Sequence, residues 1–484
     1  MIYTAEQLSA RHPEYSSRAN RWKFYHDSFN GGEYYSSGQY LTRYVYESND
    51  DYAKRITQTP YDNHCRSVID IYNSFLFGNE IKRELEDLVN DPSMMMFLED
   101  ADFEGRNFTD FMKEAHSIAA TFGSSWILVE KPEFQAETRA QEIAMALRPY
   151  VSLISPLNVV NWNYTRTPMG WYELTYLQVI EQVVNDVVTY RIYTKESTDT
   201  VTVTTNGKNV TLTSSIPQVL GYVPSVCLYA TRSAVKGIGI SDISDIADIN
   251  RAMYDEMSEI EQLIRLSNHP SLVKTSETQA SAGAGSIITL PDNIDPGLVP
   301  FLLQPDSQSL EGIRAAIEDK IASIDRIAHI GSVRSTQTRT ISGTALDSEF
   351  RLLNSKLSGR AKGLELAEEQ ILEIWCDWQG VRWNGLIEYP DTFNTKDKNR
   401  ELALLQQAKE ILNLPRVVEE ELEKEIRMKV VNFIFDDIEE IEELSMAIEM
   451  FNLDVENSTL DDAGDIVIDT PDTTDNEITD SNQV

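Results

Sequence analysis

The residues of this chain best suited to bind a ligand form one short run of hydroxyl, amide and guanidinium side chains. The run, residues 331–342, contains two arginines and no acid, although the whole chain has 78 acidic against 42 basic residues. Arginine and hydroxyl groups donate hydrogen bonds to phosphate oxygens without reading a base sequence. The composition therefore favours a phosphate-contacting loop, and the alternative is a solvated linker whose arginines pair with neighbouring Asp or Glu. The candidate contact residues are Arg334, Ser335, Thr336, Gln337, Thr338 and Arg339.

Side chains that could carry catalysis or hold a metal follow no recognised pattern in the sequence. It contains no G-x-x-x-x-G-K-[ST], H-E-x-x-H, C-x-x-C or G-x-S-x-G motif. His64 and His116 have no Cys, His or carboxylate at metal-ligand spacing, so structural histidines are expected at both positions. Acid pairs such as Asp242 and Asp245 lie on a regular helical pattern, where a charged outer face is the usual outcome. We therefore predict no catalytic residue, no cofactor and no metal site.

The net charge of −36 restricts the possible partners. Tight nucleic-acid binding needs clustered Lys and Arg to displace counterions, so the charge argues against it. It does not exclude a protein that a nucleic acid passes without sticking. Residues 455–484 contain nine acids and no base, which predicts a disordered acidic tail. Three scattered cysteines and the lack of a membrane-length apolar run predict assembly in a reducing cytoplasm, without a membrane partner.

Three long amphipathic patterns must position the candidate loop. Apolar residues recur at spacings of three and four over residues 241–268, 309–330 and 344–379, which is typical of helices with one buried face. At 1.5 Å per residue the first helix is expected to be ~40 Å long and the third ~50 Å. The residues expected to pack the first two helices are Ile246, Met253, Ile260, Ile313, Ile317, Ile321 and Ile324.

The remaining segments differ in the secondary structure that their residue patterns predict. Residues 1–123 read as helical, whereas residues 124–235 contain short β-branched runs that predict an antiparallel β region. Asn206-Gly207 lies between two such runs and predicts a hairpin turn. Between the first two long helices, residues 269–307 predict a small β-containing module. After the third, residues 380–454 read as a short strand followed by helices.

This order of parts resembles that of tailed-bacteriophage portal proteins. G-I-S-D-I-S-D-I-A-D-I-N-R-A-M-Y-D-E-M-S, from Gly239, is similar to the family's entry into the first stem helix. S-G-T-A-L-D-S-E-F-R-L-L, from Ser342, is similar to the start of its spine helix, and E-Y-P-D-T-F-N, from Glu388, to the strand turn that follows. The resemblance covers about residues 235–450 and implies an α+β portal-type subunit. The implied parts are a wing of mixed helix and antiparallel β (1–123 and 124–235), a stem (236–268 and 308–330), a clip (269–307), a tunnel loop (331–343), a spine helix (344–379), a wing return with a helical crown (380–454) and the acidic tail (455–484).

The resemblance also implies a function. Portal proteins form a ring, commonly of twelve subunits, at one vertex of the virion capsid, and double-stranded DNA passes through it during packaging and ejection. The implied partners are the major capsid protein, a scaffold, the terminase large subunit and the head–tail adaptor, with assembly in the host cytoplasm. On this interpretation the candidate loop touches DNA phosphates. The acids expected to line the channel are Asp242, Asp245, Asp248, Asp255, Glu256 and Glu259.

Two other interpretations remain open at the level of sequence. A scaffold or coiled-coil adaptor would account for the long helices, but not for the β region or for the arginine-containing loop. An enzyme of unrecognised type ranks last, because no catalytic constellation supports it.

Overall fold

Capping side chains define the helices of the N-terminal region. The structure is a computed structural model, which describes residues 3–132, 138–204, 209–268, 271–273, 301–303, 307–334, 343–390 and 393. Thr4 and Gln7 form a reciprocal capping box, and Asn63, Asp91 and Asn107 each accept a hydrogen bond from a backbone N–H two or three residues later. The helices up to the first sheet are α1 (Ala5–Ser9), α2 (Pro13–Asn30), α3 (Glu33–Ser36), α4 (Asn49–Gln58), α5 (His64–Leu76), α6 (Pro92–Glu99) and α7 (Phe108–Phe122).

Antiparallel strands follow, in two sheets. One sheet has the order β3-β2-β9 and the other the order β4-β5-β6-β7-β8. All seven residues of the central strand β2 are buried, and its residues 126–129 form a continuous apolar run rather than an alternating pattern. The strands of these sheets are β2 (Ser124–Glu130), β3 (Tyr150–Ile154), β4 (Val159–Arg166), β5 (Tyr172–Val184), β6 (Val187–Thr194), β7 (Ser197–Thr204), β8 (Val210–Pro217) and β9 (Ser225–Tyr229).

The predicted hairpin joins β7 and β8. These strands pair antiparallel with Val203 opposite Val210, as expected for strands on either side of Asn206-Gly207. The turn itself lies outside the described residues. The short helix α8 (Arg139–Ala144) lies between β2 and β3. The fold is therefore a mixture of helices and antiparallel sheet, which was the coarse prediction.

The three long helices occupy the predicted stretches. They are α9 (Ile246–Asn268), α10 (Ser307–Ala328) and α12 (Gly343–Gln379), and the four-residue helix α11 (Gly331–Arg334) precedes the third. Between α9 and α10, the strands β12 (Ser271–Val273) and β13 (Phe301–Leu303) pair antiparallel. The rest of that module lies outside the described residues. Along α12, one face is completely buried in the core, through Leu353, Leu357, Leu364, Ile371 and Trp375.

The prediction that the first long helix begins at Ser241 is wrong by five residues. Ser241 is buried and its hydroxyl donates to the carbonyl oxygens of Ala120 and Thr121 at 3.2 and 2.6 Å. The N–H of Ile243 donates back to the same hydroxyl at 3.1 Å. These contacts commit residues 241–245 to turns against α7 and delay the helix to Ile246.

Two further sheets have only two strands each, and the first of them joins distant parts of the chain. The strand β1 (Lys82–Glu84) pairs with β14 (Leu386–Glu388), and β10 (Thr231–Arg232) pairs with β11 (Gly239–Ile240).

The described residues belong to one compact unit, Met1–Asn394. The predicted crown helices and acidic tail lie outside the described residues. In the part of the chain that the structure describes, no helix is long and apolar enough to cross a membrane.

Candidate functional site

Arg334 does not extend freely from the candidate loop. It is the last residue of α11, and its guanidinium donates to Asp325 Oδ1 at 2.9 Å and to the Ser67 hydroxyl. One of its nitrogens also lies 3.0 Å from His64 Nδ1. Arg334 therefore ties the C-terminal part of α10 to the start of α5, as the linker alternative expected of an arginine. Ser335, Thr336, Gln337, Thr338 and Arg339 lie outside the described residues.

Asp242, the first of the predicted channel acids, lies in a buried ion pair. Its Oδ1 is 2.6 Å from Arg360 and 3.3 Å from Lys356, both on α12. The side chains of Asp242 and Arg360 are only 4% and 7% exposed. Burial raises the pKa of Asp242, but the charges of Arg360 and Lys356 outweigh that effect and hold the pKa below its ordinary value. The ion pair fastens the entry to α9 onto the long helix α12.

Four other predicted channel acids, all on α9, also have partners within the same chain. Asp248 pairs with Arg21 and Glu256 pairs with Lys320. Asp255 accepts from the N–H and hydroxyl of Thr42, at 2.7 and 2.8 Å. Glu259 accepts from the Tyr44 hydroxyl at 3.2 Å.

Among the six predicted channel acids, Asp245 alone has no partner in the described part of the chain. It is exposed and lines a groove of about 630 Å³ between α12 and the strands β9 to β11. The acidic pattern of α9 thus provides anchors for the N-terminal region and for α12. Whether these acids also line a channel stays a prediction.

The predicted stem residues all lie in the main hydrophobic core. Ile246, Met253, Ile317 and Ile324 are buried, and Ile260, Ile313 and Ile321 pack against the same core while partly exposed. Their partners are in the same chain, because α9 packs on α10 and also on α2, α4 and α5. At the end of α10, the Tyr72 hydroxyl donates to the carbonyl oxygen of Ala328 at 2.6 Å and accepts from Lys356 at 2.8 Å.

The two histidines considered as metal ligands have structural contacts. His116 is buried and its Nδ1 lies 2.7 Å from Asn73 Oδ1. Burial, assisted by the positive charge of Arg360, lowers the pKa of His116 to about 4, so its imidazole is neutral near pH 7. His64 lies beside Asp62 and Arg334. Among the described residues, no group of three or more His, Cys, Asp and Glu could hold a metal ion.

Sequence reasoning missed the arginines that hold the fold together. Arg55 donates to both oxygens of Glu47, at 2.7 and 2.8 Å, in a pair that is 2% and 5% exposed. Arg83 binds both oxygens of the fully buried Glu368 at 2.9 and 2.8 Å. Since these pairs lie 8 and 285 residues apart and belong to no periodic pattern, only the low number of bases in this chain could have drawn attention to the arginines.

The comparisons with known proteins give one family and several structural neighbours. The model of the family described as "Phage portal protein, SPP1 Gp6-like" matches residues 12–450. No curated protein matches the sequence.

Among solved structures, a chain from the neck of an empty gene transfer agent particle, computed with C6 symmetry, is 9% identical with a TM-score of 0.43, covering 78% of this chain and 93% of that one. A chain from the virion of the native particle is 9% identical with a TM-score of 0.41, covering 80% and 94%. A chain from the native neck, computed with C12 symmetry, is 10% identical with a TM-score of 0.42, covering 80% and 96%.

Proposed function

The chain belongs to the SPP1 Gp6-like family of phage portal proteins, and we propose that about twelve copies form a closed ring at one capsid vertex. Double-stranded DNA enters the capsid through this ring during packaging and leaves through it during ejection. The observation that carries the proposal is the family match, which extends over residues 12–450 and so includes α9, α10 and α12 together. A scaffold or coiled-coil adaptor would not require the two antiparallel sheets that accompany these helices.

The parts of the subunit can be assigned on this proposal. The helices α9 and α10 form the stem, and the β12–β13 ladder forms the base of the clip, beyond which DNA enters. The helix α12 forms the spine, and α1 to α7 with the two larger sheets form the wing. The clip docks the terminase large subunit during packaging and the head–tail adaptor afterwards, while the wing side contacts the major capsid protein and scaffold. The subunit is assembled in the host cytoplasm and stays in the virion.

The contacts of Arg334 limit which residues of the tunnel loop can contact DNA. A guanidinium held by Asp325 and Ser67 has few donors left for a DNA phosphate. We therefore assign Arg334 the role of fixing the base of the loop. Arg339, with Ser335, Thr336, Gln337 and Thr338, then contacts the DNA backbone without reading its sequence. A few such contacts inside an acidic tube would hold DNA loosely and let it slide.

The subunit has a structural role in this proposal, and ATP hydrolysis for packaging belongs to another protein. Portal proteins are a structural family, and the sequence has no nucleotide-binding motif. The stem acids contribute a repulsive surface only where they are exposed, as Asp245 and the partly exposed Asp248 are.

The proposal is tested by removing the protein from particle assembly and restoring it from a separate gene. Without it, we expect capsids that contain no DNA, and with it, filled capsids carrying the protein at a single vertex. Packaged DNA is measured as nuclease-resistant genome copies, and position by labelling the protein with gold for electron microscopy. Filled capsids in the absence of the protein, or label at every vertex, would contradict the proposal.

A further inference from the structure

Two adjacent apolar side chains project from the N-terminal region into solvent. Val45 is 90% exposed and Tyr46 is 99% exposed. We call this pair the Val45–Tyr46 projection. Exposed large side chains next to each other are a feature of surfaces that meet a partner, and tyrosine is one of the residues most enriched among those that dominate binding energy.

The loop that carries the projection is held in a fixed shape. Arg55 is buried, and besides its ion pair with Glu47 it donates to the carbonyl oxygen of Thr42 at 2.5 Å and to the Ser258 hydroxyl at 2.9 Å. Its guanidinium also lies over the ring of Tyr44, with 4.1 Å to the centroid. A desolvated arginine is tolerated only when its donors are satisfied, so these contacts define one loop conformation. The projection is therefore preorganised, which reduces the entropy lost on binding.

The same loop rests on one face of α9. Thr42 donates to Asp255, Arg55 donates to Ser258 and Tyr44 donates to Glu259. These three positions of α9 follow each other at spacings of three and one, so they share one side of the helix. The projection thus lies at the level of the two helical turns that contain them.

The other face of α9 borders an apolar groove. Between α9 and α10 lies a groove of about 310 Å³, lined by Met257, Ile260, Ile264, Leu310 and Ile317, with Arg314 and Glu318 at its rim. We call it the α9–α10 groove. Ile264 is 40% exposed within it. Its volume far exceeds the ~10–15 Å³ that is enough to hold one water molecule, so a side chain of another molecule can enter it.

Helix geometry places the projection and the groove on opposite sides of α9 at the same level. With 3.6 residues per turn, the direction of Met257, Ile260 and Ile264 is about 180° from that of Asp255, Ser258 and Glu259. A ring is built from a head-to-tail interface, in which two different patches of the same chain meet. Such an interface closes into a ring when the rotation between neighbouring copies divides a full turn and the copies are not shifted along the ring axis. Two patches at one level meet the second of these conditions.

We propose that the Val45–Tyr46 projection of one copy inserts into the α9–α10 groove of the next copy. The proposal rests on the ring proposed above and identifies the residues that connect its subunits. One pair of opposite charges at the two surfaces fits this contact. Arg314 at the groove rim and Asp50 beside the projection are both exposed, and neither has an ion-pair partner in the part of the chain that the structure describes. In the ring, Asp50 of one copy lies near Arg314 of the next.

The first test replaces the projection with charges. The variant carries Val45→Asp and Tyr46→Asp, and its matched control carries Val219→Asp and Met169→Asp, two apolar side chains that are 79% and 78% exposed elsewhere. Assembly is followed by native mass spectrometry over a range of protein concentrations. We expect the concentration for half-assembly to rise at least about tenfold in the variant and to stay unchanged in the control. Circular dichroism should match wild type for both, because the replaced side chains make little contact within the subunit.

The outcomes separate this proposal from the proposed function. If wild type, control and variant all assemble at the same concentration, the projection is not the contact, and the ring proposal is unaffected. If wild type does not assemble at any concentration, the ring proposal fails and this one fails with it. Loss of assembly in the control as well as the variant would also overturn the proposal, since added charge alone would then account for the loss.

A second test locates the contact directly. The variants Tyr46→Cys and Arg314→Cys are made alone and together in a background with Cys227→Ser, which leaves the two buried cysteines Cys65 and Cys376. After mild oxidation, the double variant should form a ladder of disulfide-linked multimers, because each copy carries both partners. Each single variant should stay uncrosslinked, and a mixture of the two should give dimers. Dimers of the Tyr46→Cys variant by itself would indicate a two-fold contact and contradict the proposal.

Discussion

The ion pair between Asp242 and Arg360 makes the most specific prediction about stability. Replacing Asp242 with Ala leaves the Arg360 guanidinium, 7% exposed, without its carboxylate at 2.6 Å. Breaking a buried pair by removing one partner costs about 3–5 kcal/mol, because the other charge stays desolvated. Lys356, which is 24% exposed, can turn its ammonium group to solvent and adds little to this cost. We therefore expect Asp242→Ala to lower the free energy of unfolding by about 3–5 kcal/mol.

A double-mutant cycle separates the ion pair from other effects. Replacing Arg360 with Met removes the second charge and keeps an apolar side chain of similar length. The variant with both Asp242→Ala and Arg360→Met should be more stable than the sum of the single effects predicts, by about 2–3 kcal/mol. The control is Lys82→Ala, which removes an ion pair with Glu388 whose side chains are 73% and 52% exposed. Such an exposed pair contributes about 0–1 kcal/mol.

The assay is urea unfolding followed by tryptophan fluorescence, with Trp126 and Trp375 buried in the core. All variants are compared at one protein concentration, because subunit association adds a concentration-dependent contribution to stability. The reasoning is refuted if Asp242→Ala costs no more than Lys82→Ala, or if the double variant loses the full sum of the single effects.

Three further predictions concern the loop, pH and the tail. Arg339→Ala should reduce packaging yield and DNA retention in rings that still assemble. Arg334→Ala should instead lower the free energy of unfolding of the subunit by about 1.5–3 kcal/mol, because its contacts to Asp325 and Ser67 are lost. If Arg339→Ala packages DNA as well as wild type does, the loop is only a linker. Because the pKa of His116 is about 4 in the fold and about 6.5 unfolded, the unfolded state takes up the proton first as pH falls, so stability should drop by about 3 kcal/mol between pH 6.5 and 4. The His116→Gln variant should weaken that dependence in urea unfolding at pH 7 and 4.5, and an unchanged slope would count against it. Truncation at Asp461 should leave ring formation intact, as judged by electron microscopy, since the acidic tail has too few apolar residues to bury a core. Loss of rings would contradict this prediction.

Local patterns predicted the long elements well. The helices α9, α10 and α12 were predicted from apolar residues spaced so that they share one face. Each of these helices has 22 or more residues, so the spacing repeats often enough to be unambiguous. The β7–β8 hairpin follows from a turn sequence between two β-branched runs. In these segments the local preference and the tertiary structure agree.

Contacts between distant residues were not predictable from such patterns. The start of α9 was placed too early because Ser241 and Asp242 fit the helical period but use their side chains on α7 and α12. The pairing of β1 with β14 joins two three-residue strands about 300 positions apart, too short to show an alternating pattern. Residues 1–123 were predicted only to be helical, because the tyrosine-rich N-terminal region has no clean period, so the bounds of α2 (Pro13–Asn30) did not follow from the sequence.

The same limit applies to the candidate site. Counting charges identified the acids at and near the start of α9 as a group. Only the three-dimensional structure shows that Asp242, Asp248 and Glu256 have basic partners within the subunit. Similarly, composition distinguished the tunnel loop from the rest of the chain and could not separate Arg334, which has an acidic partner, from Arg339. A periodic pattern records which face of a helix is polar, and it does not record what that face meets.

We propose that copies of this chain form a closed ring with a channel. Electron cryomicroscopy of the purified protein tests it most directly, over a range of protein and salt concentrations. We predict rings of roughly twelve-fold symmetry, with a central channel wide enough for duplex DNA and with α9 and α10 at the subunit contacts; a ring with one subunit more fits the same account. Monomers, rods or open filaments under every condition would contradict it.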